Sequence, residues 1–443
     1  MDTSNDNQME SVAEEVIVVS EEVTTKAPVK KKSKKTKEFK KVSTPKTEEE
    51  LKKSKRKKCI IITAIVILLL AIIGGVVWLV FFSNIFKNEE TVVEDEEIVV
   101  EGPKFYSKLS GLQIKDESEN SKPTYCIQIP NGIDGARPQA GLNQAAVVFE
   151  AIAEAGITRF AAIYQNPKDE AIGPIRSLRN YYLDWDTPFD CTVVHAGGAT
   201  DAIAALRAGG YREVDESLIY TWRNVSSYWA PNNLFTSAEL LEKAARDDGY
   251  SSSNPQVLPR LTSEETANAV ATARKNAGLD QTEENAEEDT EENVTPLVKE
   301  IAVNFGGVGS FNTVYHYDET TNSYNRSYAS GEDHIVYTCI DTGKAQPDPK
   351  TDCGVAKQVS PSAVAVMKVD EYLDTDNYHH VIQTIGTGNA YVFQNGTATR
   401  GTWKKNSKSA QIEFRDDNGN TISFTPGQLW IAAIPNSGGS VRY

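Results

Sequence analysis

The chain has 443 residues, a net charge of −16, 40% hydrophobic residues and five cysteines. Residues 1–58 hold 16 Lys/Arg against 11 Asp/Glu, a net of +5, so everything beyond them carries −21. A field of that sign repels nucleic acid and anionic lipid, which excludes both as partners of the large C-terminal part.

Residues 1–58 are polar, Lys-rich and almost without aromatics, a composition that cannot bury enough apolar surface to order itself; they read as a disordered basic cytoplasmic tail. Cys59–Phe82 (CIIITAIVILLLAIIGGVVWLVFF) then runs 24 positions without a charge. As a helix it covers about 36 Å, enough to cross a ~30 Å hydrocarbon core. Lys52, Lys53, Lys55, Arg56, Lys57 and Lys58 crowd its near edge, and Glu89, Glu90 and Glu94 stand beyond the far one. Basic flanks stay in the cytoplasm, so the expectation is a single-pass plasma-membrane protein, N-terminus inside and C-terminal domains outside. The run is too long for a cleaved signal, and Trp78, Phe81 and Phe82 make no small-x-small cleavage site.

Residues 83–122 read as an acidic tether. Tyr125–Ile129 is a first strand. Val147–Glu154 and Ile157–Tyr164, joined by Ala155-Gly156, read as a hairpin that puts Glu150, Glu154 and Arg159 on one face. A helix through Ala145–Ala155 is the competing reading, and it also keeps Glu150 beside Glu154. Pro174 opens a helix running to about Asp184. A strand follows over Phe189–His195, then a helix over Asp201–Ala208 capped by Thr200, with Gly209-Gly210 ending it. Tyr220–Phe235 is dense in aromatics and amides, and Ser237–Ala245 looks helical. Residues 262–298 form an acidic insertion or linker with a helix in its first half. From Glu300 the pattern alternates, and Asn395-Gly396 marks a hairpin.

The fold class expected is α+β: a single transmembrane helix, a mixed α/β domain over 123–261, and an antiparallel β-rich domain over 299–443, a small barrel or curled sheet. Cys126, Cys191, Cys339 and Cys353 lie in an oxidising compartment, where pairing within domains joins Cys126 to Cys191 and Cys339 to Cys353. Four buried free thiols are the alternative. No Cys/His spacing fits zinc, and no motif calls for a metal or cofactor.

Eight ordered phrases resemble the YerB-like family of bacterial envelope proteins. They are ARPQAGLNQAAVVFEAIAEAGITRF, IGPIRSLRNYY, VVHAGGATDA, APNNLFTS, YDETTNSYNRS, IGTGNAYVFQNG, GTW and TPGQLWIAAIP, between Ala136 and Pro435. The resemblance implies an N-terminal mixed domain and a C-terminal β domain outside the membrane. Family members usually look like lipoproteins, whereas this chain carries a spanning stretch. The family phrase Pro-His-Asn is here Pro231-Asn232-Asn233, so no role for that imidazole carries over.

The residues with chemistry to offer are Glu150, Glu154, Arg159, Arg176, Arg179, His195 and Asn232. In a binding reading the arginines grip carboxylates or phosphates of a cell-wall polymer or envelope protein, while Trp222, Tyr228 and Trp229 offer flat faces to sugars. In the alternative, a metal-independent hydrolase acting on cell-wall glycan, Glu150 and Glu154 act as acid and base with His195 assisting. The bland reading makes the same glutamates and arginines a salt-bridge network fixing the hairpin against a helix.

Overall fold

Apolar strings in the first half become strands close to where their patterning puts them. They are β1 (Thr124–Pro130), β2 (Val147–Glu154) and β3 (Ile157–Gln165), the last two joined by Ala155 and Gly156 at φ 49° and 73°. The computed structural model describes residues 104–224, 226–280, 294–354 and 356–443. The expected tail, the spanning stretch Cys59–Phe82 and residues 83–103 lie outside the described residues. Among the described residues no helix is long and apolar enough to cross a membrane.

The expected tether stops short of Lys122. Phe105–Tyr106 pairs with Gln113–Ile114, Leu109 is buried, and Gly427 N–H donates to the Ser110 carbonyl at 2.7 Å. Apolar side chains in FYSKLSGLQI give this segment something to bury, which the acidic run before it lacks.

The helix expected from Pro174 begins six residues later, as α1 (Asn180–Asp186). The backbone before it is already committed elsewhere. Arg176 N–H donates to the Gln128 carbonyl, Leu178 N–H to Gly197, and Arg176 accepts from Ala196 N–H. Beyond it come β4 (Cys191–Val194), α2 (Thr200–Ala208) and β5 (Glu213–Val214). Thr200 is the first helical residue of α2 and Ala199 its cap, so the expected Thr200 cap is displaced by one position. The helix α3 (Ala238–Asp247) is capped by Ser237 Oγ, and α4 (Ser263–Asn276) carries a Thr262/Glu265 capping box.

The second half supplies β6 (Glu300–Asn304), β7 (Thr313–Asp318), β8 (Ser323–Tyr328), β9 (Ala363–Val369), β10 (Gly386–Gln394) and β11 (Thr397–Lys405). It closes with β12 (Glu413–Asp416), β13 (Leu429–Pro435) and β14 (Ser440–Arg442). These strands do not form a barrel of their own. One sheet of ten strands runs β12-β11-β10-β9-β13-β2-β3-β1-β4-β5, with β13 parallel to both β9 and β2. The reason is legible in burial: VVFEAIAE and LWIAAIP are buried at every position, which only a central strand covered on both faces allows. A smaller sheet, β8-β7-β6-β14, stacks on one face through Ile301, Val303, Tyr315 and Tyr324 against Val148, Phe160, Val366 and Trp430. The other face carries α1 and α2 through Tyr182, Leu183, Trp185, Ala202 and Leu206. Disulfides join Cys126 to Cys191 across β1 and β4, with Cα atoms 5.7 Å apart, and Cys339 to Cys353 at 4.6 Å.

Candidate functional site

The β2–β3 hairpin decides which charged groups meet. Ala151 stands opposite Arg159 and Ile152 opposite Thr158, but Glu154 stands opposite Ile157, so one residue, Ala153, is extra on β2. A bulge of this kind reverses the facing of whatever follows it. Glu154 therefore shares a face with Arg159, and Glu150 points to the opposite one. The expectation that Glu150, Glu154 and Arg159 line up together is wrong for this reason.

On the helix-bearing face, Glu154 accepts from Arg159 Nη2 and from Arg179 Nη2, each at 2.5 Å. Arg159 also donates to the Ser177 carbonyl and Arg179 to Leu178. Burial raises the Glu154 carboxyl, but the two guanidinium groups outweigh it and hold the acid below its ordinary range. Burial pulls the Arg159 guanidinium down, with Glu154 opposing. One carboxylate between two arginines leaves a residual positive charge at the N-terminus of α1.

That end of α1 opens into a cleft of about 350 Å³. Its walls come from both halves of the chain. Arg179, Asn180, Tyr181 and Asp184 stand on one side with Ala199, Thr200 and Asp201 from the start of α2. Opposite are Asp374, Asp376, His379, His380 and Val381, on the hairpin Glu371–Leu373/His380–Ile382, together with Lys408. Each imidazole is tied to an acid: His379 Nδ1 lies 2.6 Å from Asp376, and His380 Nδ1 2.8 Å from Glu371. The His379 imidazole, helped by the His379 and Tyr378 backbone N–H groups, pulls Asp376 down to about 2. Buried Lys405, pushed down to about 8 by burial, donates to the Lys408 carbonyl and fixes the turn that brings Lys408 to the rim.

On the opposite face Glu150 is wholly buried. It accepts from Arg326 Nη2 at 3.0 Å on both oxygens, from Trp430 Nε1 at 2.8 Å and from Thr158 Oγ1 at 2.9 Å. Burial alone lowers the Arg326 guanidinium, yet Glu150 reverses this and raises it. Arg326 Nη1 lies 2.5 Å from His334 Nδ1, whose pKa burial, Arg326 and Arg137 hold well below the usual range. The imidazole is thus neutral, accepts at Nδ1 and donates from Nε2 to Gln139 at 3.0 Å.

Of the expected site residues, only Arg179 reaches the cleft, with Glu154 and Arg159 directly behind it. Two carboxylates on opposite faces of a sheet, both already ion-paired, cannot act as acid and base across one bond, so the glycan hydrolase built on Glu150 and Glu154 falls. Arg176 is half-buried and lines neither wall of this cleft. His195 is fully buried, with Nδ1 2.9 Å from the Gly197 carbonyl and Nε2 3.2 Å from Glu213. Asn232 is buried and donates to the Asp134 carbonyl. Trp222 packs on Phe235 and Tyr228 donates to the Pro138 carbonyl, while Trp229 is 81% exposed away from the cleft. The hairpin with Asp374, Asp376 and His379 was missed. Its one local signal is DTDNYHH, a turn-rich run between two apolar strings.

Residues 109–251 match the model of the N-terminal domain described as protein of unknown function (DUF3048), and residues 301–431 match the C-terminal domain of the same description. The Bacillus subtilis (strain 168) protein "Putative lipoprotein YerB" is 28% identical over 342 residues, covering 75% of this chain and 87% of that one. The crystal structure of YerB from Bacillus subtilis superposes with a TM-score of 0.57 at 24% identity, over 77% of this chain and all of the other, a likeness of fold. With both domain models matched in order, and a relative aligned along most of its length, this chain belongs to the YerB-like family.

Proposed function

We propose that this protein is a membrane-anchored, extracytoplasmic member of its family whose folded part binds a cell-envelope ligand in the cleft between α1–α2 and the 371–382 hairpin. The observation that carries this reading is the cleft itself. There Arg179, with Glu154 and Arg159 behind it, meets an open cavity furnished by both halves of the chain. Cavities of roughly 300–1,000 Å³ with a few convergent polar groups are the usual form of small-ligand and polymer-end sites. The anchor rests on Cys59–Phe82 and on the lipoprotein name of the Bacillus subtilis relative. In this reading residues 123–261 and 299–443 keep their family roles as two sequence domains sharing one sheet.

The test uses the full-length protein in detergent, sedimented with purified bacterial cell-wall sacculi. Asn180→Ala and Lys408→Ala remove two exposed or half-exposed cleft side chains that support no core. Each loses one or two polar contacts to a ligand, so retention falls about tenfold while thermal stability stays put. Sacculi held equally well by both variants would sink the cleft as the site.

A further inference from the structure

We infer that the cleft takes a neutral, hydroxyl-rich saccharide rather than a polyanion, an inference that rests on reading the cleft as a binding site. Two of its side chains are more than nine-tenths buried and still carry an atom without a hydrogen-bond partner. Arg179, 6% exposed, has an unpartnered Nε, and Asp184, 9% exposed, an unpartnered Oδ1. Asp184 Oδ2 is already taken by Thr384 Oγ1 at 2.5 Å, and the Lys408 ammonium stands 3.4 Å from Oδ1. The start of α1 therefore brings to the cleft wall a guanidinium with one unmet donor and a carboxylate oxygen that is ion-paired with Lys408 but accepts no hydrogen bond.

A hydroxyl accepts and donates at once, so neighbouring sugar hydroxyls satisfy both atoms. A phosphodiester or carboxylate group supplies acceptors only. It would also meet Asp184, Asp201, Asp374 and Asp376 around the same walls, with Asp376 held firmly ionised by its contacts with His379. The cations do not offset these acids: Arg179 and Arg159 share Glu154, which leaves one positive charge, and Lys408 adds a second beside Asp184, against four carboxylates around the walls. An ammonium supplies donors only and would leave Arg179 Nε unmet.

Two exposed tyrosines adjoin residues of the cleft wall. Tyr378 is 51% exposed and packs edge-on against His379, ring centroids 5.1 Å apart. Tyr372 is 61% exposed and stands across the hairpin from Val381, itself a cleft residue. Exposed tyrosines beside a polar cleft suit the C–H faces of pyranose rings, which have an apolar side to cover and polar edges to direct inward.

The experiment titrates the detergent-solubilised full chain with chitohexaose, cellohexaose and maltohexaose, and separately with poly(glycerol phosphate) and a glucosamine hexamer, at low and high salt. At least one neutral oligomer binds with an affinity that salt leaves unchanged. Tyr378→Ala and Asp376→Asn each weaken that binding about fivefold or more. If no neutral oligomer is held, or if the polyanion binds in a salt-sensitive way that Lys408→Ala abolishes, the saccharide inference is overturned. The cleft itself then still stands or falls on sacculus retention by Asn180→Ala and Lys408→Ala, so the two failures are told apart.

Discussion

Replacing Arg326 with methionine is expected to cost about 3–5 kcal/mol of unfolding free energy, the usual penalty for stranding one member of a buried ion pair. Arg326 and Glu150 are both fully buried, and the guanidinium sits among the rings of Trp430, Tyr328 and Phe160 at 4.7, 5.0 and 5.6 Å. Removing the cation leaves the Glu150 carboxylate with Thr158 and Trp430 as its donors and no opposite charge. The double variant Glu150→Leu/Arg326→Met removes both charges and is expected to be more stable than Arg326→Met alone. It stays below the parent because Thr158 Oγ1 and Trp430 Nε1 lose their acceptor, about 1–3 kcal/mol for each group left unmet. Urea unfolding of the four proteins gives the coupling directly. Strict additivity of the two single changes would show that the pair does not act as one unit. Because Glu150 lies on β2 and Arg326 on β8, the same cycle measures how firmly the small sheet is pinned to the large one.

The parts of this molecule that sequence revealed are those fixed by local chemistry. Asn395-Gly396 takes φ values of 55° and 71°, as a tight hairpin turn requires, and the apolar strings at 147 and 429 are strands, the first of them against a competing helical reading. What stayed hidden depended on pairing between distant segments. Nothing local in LWIAAIP says that Leu429 will lie beside Val147, so the second half looked like a closed unit. The bulge at Ala153 leaves no mark either, since VVFEAIAE is apolar at both parities and tolerates a reversal of facing. Arg326 could have been found. Tyr324, Arg326 and Tyr328 fall on one face of a strand, and an arginine between two large inward aromatics calls for a buried partner. The candidate site was half legible for the same reason: Glu154, Arg159 and Arg179 come from one stretch of chain, whereas the opposing wall arrives from more than 190 residues away.

Asp169 makes the stability of this protein fall as pH rises, by up to about 4 kcal/mol. Its side chain is fully buried; Oδ1 accepts from Cys339 N–H at 2.6 Å, and Oδ2 makes no close hydrogen bond. Burial raises the acid to about 7 from an ordinary 3.8; the Cys339 N–H and the nearby Gln144 side chain oppose this and Glu170 adds to it. The folded state therefore binds a proton that the unfolded state has released across that window, and the linkage sign is negative: stability is lost as pH climbs from about 4 to about 7. Roughly three pH units at about 1.4 kcal/mol each set the size. Asp169→Asn keeps an acceptor for Cys339 and puts a donor where the protonated acid would carry its own. Near pH 4 it should match the parent, and near pH 8 it should be the more stable protein, by as much as about 4 kcal/mol. Comparing the two in urea at pH 4, 6 and 8 isolates this residue from every other titrating group, since all of those are shared. A constant difference across the three pH values would mean that Asp169 does not change its proton occupancy on folding.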